Sequence, residues 1–373
     1  MAEKERTYYF IIRYYLYFVV IGIFVIVVMS LLRTCLRSTD RLIHDEKNSV
    51  YYWKTVLDFN SNDYSFLRQH GIERIYLRMF DVAIDAEDKA NHAHTIPIAT
   101  LRVTDKTFNE LKDSLPSMEY VPVVYITNEA MKDGQTYGVG HLARNIVGRV
   151  KNMCSYNDFT NIGSMQLDCD WTRTTEQAFF NLCDSVKLYL TRFGLQWKLC
   201  STIRLHQLRQ RIPPVDYGVL MVYNTGKFDD PDVENSILSE KDVKPYLKYL
   251  QGYPLHLDIA YPTYSWQLLF RNRRFVGLLT DVEVADTAKF RAQTANTYIA
   301  KQDVSYRQMT IRRGDVIRTE QSDYQIIERV KGLVEHNLKN KRHSNILYHY
   351  DFKNFLKYSK HEMECLYNIN PNK

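Results

Sequence analysis

Polar residues at every second position of the segment Ser164–Thr172 give the strongest chemical signal in the sequence. Side chains alternate between the two faces of a strand, so Gln166, Asp168 and Asp170 are predicted to share one face. A helix-like run from Thr174 to Leu190 follows, which is typical of a βα unit whose strands are covered on both sides. Because a buried carboxylate is costly unless it is paired, solvated or used, we favour a functional row over the solvated face of an edge strand.

The pair Asp168 and Asp170 could also hold a divalent ion that bridges to phosphates, as in nucleotide-sugar transferases. His92 and His94 have ligand spacing as well. They fall in a predicted loop, however, where a solvated pair is the favoured interpretation. We therefore predict no metal ion and no other cofactor.

Eight short apolar runs, alternating with helix-like segments, are the elements that must position these side chains. The predicted strands are Val50–Trp53, Ile75–Asp81, Val121–Thr127, Ser164–Thr172, Lys198–Leu205, Val219–Tyr223, Leu255–Tyr261 and Ile346–Tyr350. This pattern is typical of an α/β fold of the (β/α)8 TIM-barrel type with insertions. An open, doubly wound sheet is less favoured because no glycine-rich phosphate turn follows the first strand.

Polar residues stand late in most of these strands or directly after them. In barrels of this type the active site lies at the carboxyl ends of the strands, so these residues are predicted to converge. Together with Asp168 and Asp170, the predicted polar site residues are Asp81, Asn128, Arg204, His206, Tyr223, Asn224, Asp258 and His349.

Six segments resemble a family of uncharacterised, membrane-tethered bacterial barrel proteins. The segments are Tyr52–Lys54, Tyr76–Asp81, Gln166–Thr172, Thr202–Gln207, Pro213–Asp216 and Tyr348–Asp351. That family is distantly similar to chitinase-like (family 18) glycosidases, and this more distant resemblance depends mainly on the fourth strand. The fourth strand of those enzymes ends in Asp-x-Asp-x-Glu, in which the Glu is the general acid and the preceding Asp orients the N-acetyl group of the substrate.

Two alignments of that motif are open. If Asp168 and Asp170 occupy the two Asp positions, Thr172 stands where the acid belongs and no proton donor remains. If Gln166 and Asp168 occupy them, Asp170 stands at the acid position, one methylene shorter than Glu. The chain is therefore expected to be either a glycoside hydrolase-like enzyme or a glycan-binding barrel that has lost the general acid.

The resemblance implies a carbohydrate ligand and assigns roles to the predicted site. A glycosidic acid must keep its proton near neutral pH, which burial or a like-charged neighbour can arrange. Asp170 is therefore predicted to protonate the leaving oxygen, and Asp168 to raise the pKa of Asp170 or orient the sugar. Asp258 or Asp81 is the predicted second carboxylate. The side chains predicted to stack on sugar rings are Trp53, Trp171 and Trp266.

The N-terminal segment from Tyr14 to Leu32 carries no charged residue. As a helix it would extend about 28 Å, close to the hydrocarbon thickness of a bilayer. We predict one transmembrane helix that anchors the chain to the membrane. The alternative is a lipoprotein-like signal at Cys35, which Arg33 fits poorly. The barrel is then expected in the cell envelope, on the periplasmic or extracellular side.

The chain is predicted to divide into an anchor at 1–36, a linker at 37–48 and a barrel at 49–373. Insertions in the barrel are expected at about 82–115 and 281–344. The net charge of +6 is mild and spread along the chain, so no nucleic-acid partner is predicted. The six cysteines fit no metal or redox spacing and are interpreted as free thiols.

Overall fold

The computed structural model describes residue 29 and residues 46–85, 95–307, 309–339 and 342–367. The predicted anchor, apart from Met29, lies outside these ranges, and so do His92 and His94. Within these ranges no helix is both long enough and apolar enough to cross a bilayer. The described residues from Glu46 onwards belong to one compact unit.

Strands occur throughout this unit. In chain order they are β1 (Asn48–Tyr52), β2 (Val56–Leu57), β3 (Ile72–Ile84), β4 (Thr95–Ile98), β5 (Arg102–Val103), β6 (Glu119–Ile126), β7 (Ser164–Cys169), β8 (Lys198–Arg204), β9 (Tyr217–Met221), β10 (Leu257–Pro262), β11 (Ser265–Arg271), β12 (Arg274–Leu279), β13 (Phe290–Ala292), β14 (Thr297–Ala300), β15 (Val304–Tyr306), β16 (Met309–Ile311), β17 (Val316–Gln321) and β18 (Asn345–Tyr348).

A closed parallel barrel is the centre of the fold. Strands β1, β3, β6, β7, β8, β9, β10 and β18 pair in this order, and β18 pairs back with β1. Each of these strands overlaps one of the eight runs predicted from the sequence. The (β/α)8 prediction is therefore confirmed, and the open sheet is excluded because both edges of the barrel sheet are paired.

Helices cover the outside of the barrel. They are α1 (Ser61–Gln69), α2 (Asp105–Ser114), α3 (Asn128–Tyr137), α4 (Gly140–Tyr156), α5 (Glu176–Arg192), α6 (Glu240–Leu247), α7 (Tyr324–Asn337), α8 (Phe352–Phe355) and α9 (Lys360–Leu366), with a 3-10 turn at Leu205–Arg209. Local sequence explains several starts: Asn60 and Asp63 form a capping box at α1, and the Thr127 hydroxyl accepts from the Ala130 amide at α3. These caps begin the helices directly after the strands that precede them.

The inside of the barrel is filled by polar and aromatic side chains in layers. At the amino end of the strands lie Arg74, Glu119 and Asp258, all buried. In the middle, the Tyr51 hydroxyl donates to Gln166 Oε1 at 2.8 Å. Asp168 lies above them on β7. The alternation predicted for Gln166 and Asp168 is therefore confirmed, because both point into the barrel.

An antiparallel sheet is inserted between β10 and β18. Its strands lie in the order β12-β11-β17-β14-β13, with a hairpin of β15 and β16 beside it. Leu269, Phe290 and Ile317 belong to its own small hydrophobic core. The sheet begins at Ser265, earlier than the boundary at 281 expected from the sequence.

Candidate functional site

Asp168 forms the floor of the barrel mouth, at the carboxyl ends of the strands. Its side chain is 3% exposed. Oδ1 accepts a hydrogen bond from the Thr202 hydroxyl at 2.7 Å and from Arg204 Nη2 at 3.1 Å. Burial opposes the charge of Arg204, but Asp168 and the neighbouring tyrosines outweigh it and raise the pKa of Arg204. The floor is thus a neutralised ion pair.

Asp170 lies just past the end of β7 and has a different environment from Asp168. Its side chain is 55% exposed, and Oδ1 stands 3.6 Å from Nε2 of His206, which is itself 47% exposed. These two predicted site residues therefore meet at the rim. The structure does not bury Asp170, and Arg204 offsets the charge of Asp168. Neither arrangement predicted to keep a proton on Asp170 is present.

Aromatic rings form one wall of the mouth. Tyr223 and Tyr348 stack with centroids 4.5 Å apart and planes 15° apart. The rings of Tyr264 and Trp53 also pack against Tyr348, with centroids 5.9 and 5.6 Å from the Tyr348 centroid. Burial, followed by the nearby Tyr348 hydroxyl, raises the pKa of Tyr223 well above its usual value. Tyr223 therefore stays neutral and can serve as a hydrogen-bonding group.

A second ion pair lies within β3, beside the end of β1. Arg78 Nε donates to Asp81 Oδ1 at 2.8 Å, and Nη2 donates to the other oxygen of the same carboxylate. The Arg78 guanidinium also lies 5.2 Å from the centroid of Trp53 and donates to the Trp53 carbonyl. Trp53 is half-buried, so the cation fixes its position at the mouth. Asp81, predicted as a second carboxylate, is engaged by this pair.

The other predicted residues line the mouth more loosely. Asn128 accepts from the Thr175 hydroxyl at 2.7 Å and so joins the loops after β6 and β7. Asn224 is exposed, has a positive φ of 51°, and accepts from the Tyr264 hydroxyl. Trp266 Nε1 donates to Glu320 at 2.8 Å. His349 is half-buried beside Tyr264, and burial lowers its pKa.

Two predicted site residues do not reach the mouth. Trp171 is fully buried and packs on Phe179 and Phe180 of α5, beneath the helical layer. Its predicted stacking on a sugar ring is wrong, because an odd position in this row points outward. Asp258 is buried near the amino end of β10, where Oδ1 accepts from the Ser344 amide at 2.8 Å. Its predicted role at the carboxyl ends is also wrong.

Several mouth residues were missed by sequence reasoning. Tyr264 and Tyr348 belong to the aromatic wall, and Arg78 holds Trp53 in place. Tyr125 of β6 lies opposite Asp168 in the register of β6 with β7, beside the floor, and burial followed by the charge of Asp168 raises its pKa. The alternation of each strand could have indicated Arg78 and Tyr348. Tyr264 lies past the end of β10, where no periodicity applies.

The geometry also bears on the divalent-ion hypothesis for Asp168 and Asp170. The Arg204 guanidinium already occupies the Asp168 carboxylate, and a cation there would be repelled by it. In the described ranges no group of three or more His, Cys, Asp or Glu side chains converges as a metal site. The residues at the mouth therefore do not fit a divalent ion.

The described residues form a closed (β/α)8 barrel, and its mouth combines an ion pair with aromatic rings. No protein-family model matches the sequence, and no curated protein sequence matches it. Among solved structures, the spore cortex-lytic enzyme SleL of Bacillus cereus is 11% identical, with 87% of this chain and 74% of that chain covered and a TM-score of 0.50.

Two further structures show the same kind of similarity. A chitinase of Chromobacterium violaceum is 12% identical, over 84% of this chain and 98% of that one, with a TM-score of 0.49. A glycoside hydrolase family 18 N-acetylglucosaminidase of Paenibacillus barengoltzii is 14% identical, over 87% and 99%, with a TM-score of 0.46. At such identities the similarity concerns the fold. The similarity to SleL, at a TM-score of 0.50, supports the (β/α)8 fold.

Proposed function

We propose that this chain is a membrane-anchored barrel of glycoside-hydrolase-like fold that binds a glycan at the carboxyl ends of its strands. The observation that carries the proposal is the composition of the mouth. The Asp168–Arg204 pair lies beside the Tyr223–Tyr348 stack, with Trp53 at the rim. Charged groups suit the hydroxyls of a sugar, and aromatic rings suit its apolar faces.

Binding without cleavage is the form of this function that the geometry favours. A glycosidic acid needs a raised pKa, which comes from burial or from an unbalanced negative neighbour. Asp170 is largely exposed, and the charge of Asp168 is offset by Arg204. The mouth thus offers groups for recognition and lacks the surroundings that keep a carboxyl group protonated.

Cleavage is the second candidate function, and one contact supports it. His206 Nε2 stands 3.6 Å from Asp170 Oδ1 at the open rim, so a bound glycan could bridge the two groups. Covering by a ligand would remove water from Asp170. In this case Asp170 would donate the proton to the leaving oxygen.

A polysaccharide panel on the full-length chain in mild detergent distinguishes these candidates. We expect binding of at least one glycan without release of reducing ends, and loss of that binding in Arg204→Leu. Cleavage that disappears in Asp170→Asn, with binding retained, would establish the second candidate. Absence of both binding and cleavage across neutral, acetylated and acidic polysaccharides contradicts the proposed function.

The membrane anchor and the cell-envelope location are part of the proposal. The uncharged run from Tyr14 to Leu32 supports them. We expect the chain to sediment with bacterial membranes and to resist extraction by high salt or alkali. Protease added to cells whose outer envelope has been opened and whose inner membrane is intact should degrade the barrel. Full protection of the barrel from protease in these cells would place it on the cytoplasmic side of the inner membrane.

A further inference from the structure

A groove of about 970 Å³ lies on the flank of the barrel, away from the mouth. Helix α4 packs against α5 on one side, and the groove separates α4 from the segment of β4, β5 and the start of α2 on the other. Phe80 and Val82, on the outer face of β3, form an apolar floor. None of the predicted mouth residues lines it.

Positively charged side chains outnumber acidic ones among the described residues that line the groove. Arg102, Arg144 and Arg149 line it, against Asp105 as the opposing carboxylate. Arg102 and Arg144 are exposed and Arg149 is half-buried, so among the described lining residues three guanidinium groups meet one acidic group. Such a surface attracts an anionic ligand.

Arg149 is held in place before any ligand arrives. Its guanidinium lies 5.1 Å from the Phe80 ring centroid, and Nη2 donates to the Thr100 hydroxyl at 3.0 Å. Its Nε atom is buried and has no hydrogen-bond partner among the described residues. A buried donor without a partner is costly, and Nε forms one arm of the fork that binds a carboxylate.

The remaining lining groups suit a sugar. Asn145, Arg149, Asn152 and Tyr156 follow one another at helical spacing along α4 and all line the groove. The amides can exchange hydrogen bonds with hydroxyls, and the Tyr156 ring is 83% exposed at the rim. An inorganic anion would use the arginines but neither the ring nor the apolar floor.

We propose that this groove is a second ligand site, which binds an oligosaccharide bearing carboxylate groups. Arg149 takes a carboxylate through its fork, Arg144 adds charge at the rim, and Tyr156 packs on a sugar ring. The proposal does not depend on the function of the mouth, since none of the predicted mouth residues lines the groove.

Gly148 offers a way to close the groove without touching a charge. It lies on α4 and lines the groove, and a Cβ there would meet only Phe193 at an ordinary contact distance of 3.7 Å. Gly148→Ala is therefore tolerated, whereas the longer side chain of Gly148→Leu extends into the groove and blocks it.

Calorimetric titration of the full-length chain with trigalacturonate tests the proposal. We expect binding that weakens with salt. The uncharged methyl ester of the same trisaccharide should bind more weakly, by about tenfold or more. Arg149→Met and Gly148→Leu should each weaken binding by about tenfold or more. The controls Arg274→Gln, an exposed arginine on β12, and Gly148→Ala should bind as the wild type does.

Four results would overturn the inference. Equal binding of the acid and its ester would exclude the charge recognition. Unchanged affinity in both Arg149→Met and Gly148→Leu, with wild-type thermal unfolding, would exclude the groove. Loss of trigalacturonate binding in Asp170→Asn would assign the ligand to the mouth, and inorganic phosphate binding as tightly as trigalacturonate would exclude a saccharide site.

Discussion

The two ends of the barrel bury charged side chains in different ways. At the amino end, Glu119 contacts Arg74 at 3.0 Å and Lys47 at 2.8 Å, and none of these three side chains is more than 25% exposed. At the carboxyl end, Asp168 and Arg204 pair below exposed neighbours such as Asp170. The comparison teaches that buried charge alone does not mark a site: a site also needs groups that remain accessible to a ligand.

The largest expected effect of a substitution falls at the amino end. Glu119→Gln removes the carboxylate that pairs with the buried Arg74 and should lower the free energy of unfolding by about 3–5 kcal/mol. Glycan binding at the mouth should not change while the protein is folded. Urea unfolding measures the first quantity and titration the second. Glu73→Gln, an exposed glutamate on β3 next to Arg74, is the matched control and should cost about 0.5 kcal/mol or less.

The second largest effect is expected at the carboxyl end, where a substitution should cost less stability than at the amino end but should weaken glycan binding. Arg204→Leu leaves Asp168 unpaired, but the Arg204 side chain is 23% exposed and water can enter, so we expect a smaller loss of about 1–3 kcal/mol. Glycan binding should fall by about tenfold or more. Thr202→Val removes one hydrogen bond to Asp168 and keeps the ion pair. A variant of Arg204 that binds normally would contradict the contrast between the two ends.

A third change concerns the aromatic wall. Tyr348→Leu removes the ring that stacks on Tyr223 and should cost about 1 kcal/mol of stability, together with a measurable loss of glycan affinity. Tyr348→Phe keeps the ring and removes the hydroxyl, so it measures the contribution of stacking apart from that of hydrogen bonding. If both variants bind glycan equally to wild type, the wall takes no part in recognition.

The smallest expected effect is a difference in pH dependence between the two ends. Burial lowers the pKa of His349, so the unfolded chain takes up a proton first as the pH falls below about 6.5, and stability decreases from there. For Glu119 burial acts upwards, but Arg74 outweighs it and lowers the pKa. The stability that Glu119 contributes is therefore present above about pH 4.3 and is lost as the pH falls through its lower folded value.

Urea unfolding at pH 7.5 and at pH 5.5 separates these contributions. The loss of stability between the two values should diminish in His349→Gln and persist in Glu119→Gln. The opposite outcome would mean that the amino-end network titrates in this range and that the assignment of the two windows is incorrect.

Much of the fold could be predicted from the sequence, because each barrel strand is a short apolar run with polar residues after it. The positions of Gln166 and Asp168 followed from alternation alone. Alternation cannot show how far along its strand a residue lies, so Asp258 was placed at the wrong end. The β11–β12 hairpin was missed because its turn uses Asn272 and Arg273 at positive φ, where a glycine would have signalled it.

Glu320 couples the antiparallel insertion to the loop after β9. Its Oε2 accepts from Trp266 Nε1 and from the amide and hydroxyl of Ser236, and its Oε1 accepts from Arg318, all at 2.6 to 2.8 Å. Moving the insertion away would break both hydrogen bonds from Ser236 to Glu320, a residue that is 2% exposed. Trp266, which Glu320 also binds, is therefore held in place before a ligand arrives at this side of the mouth.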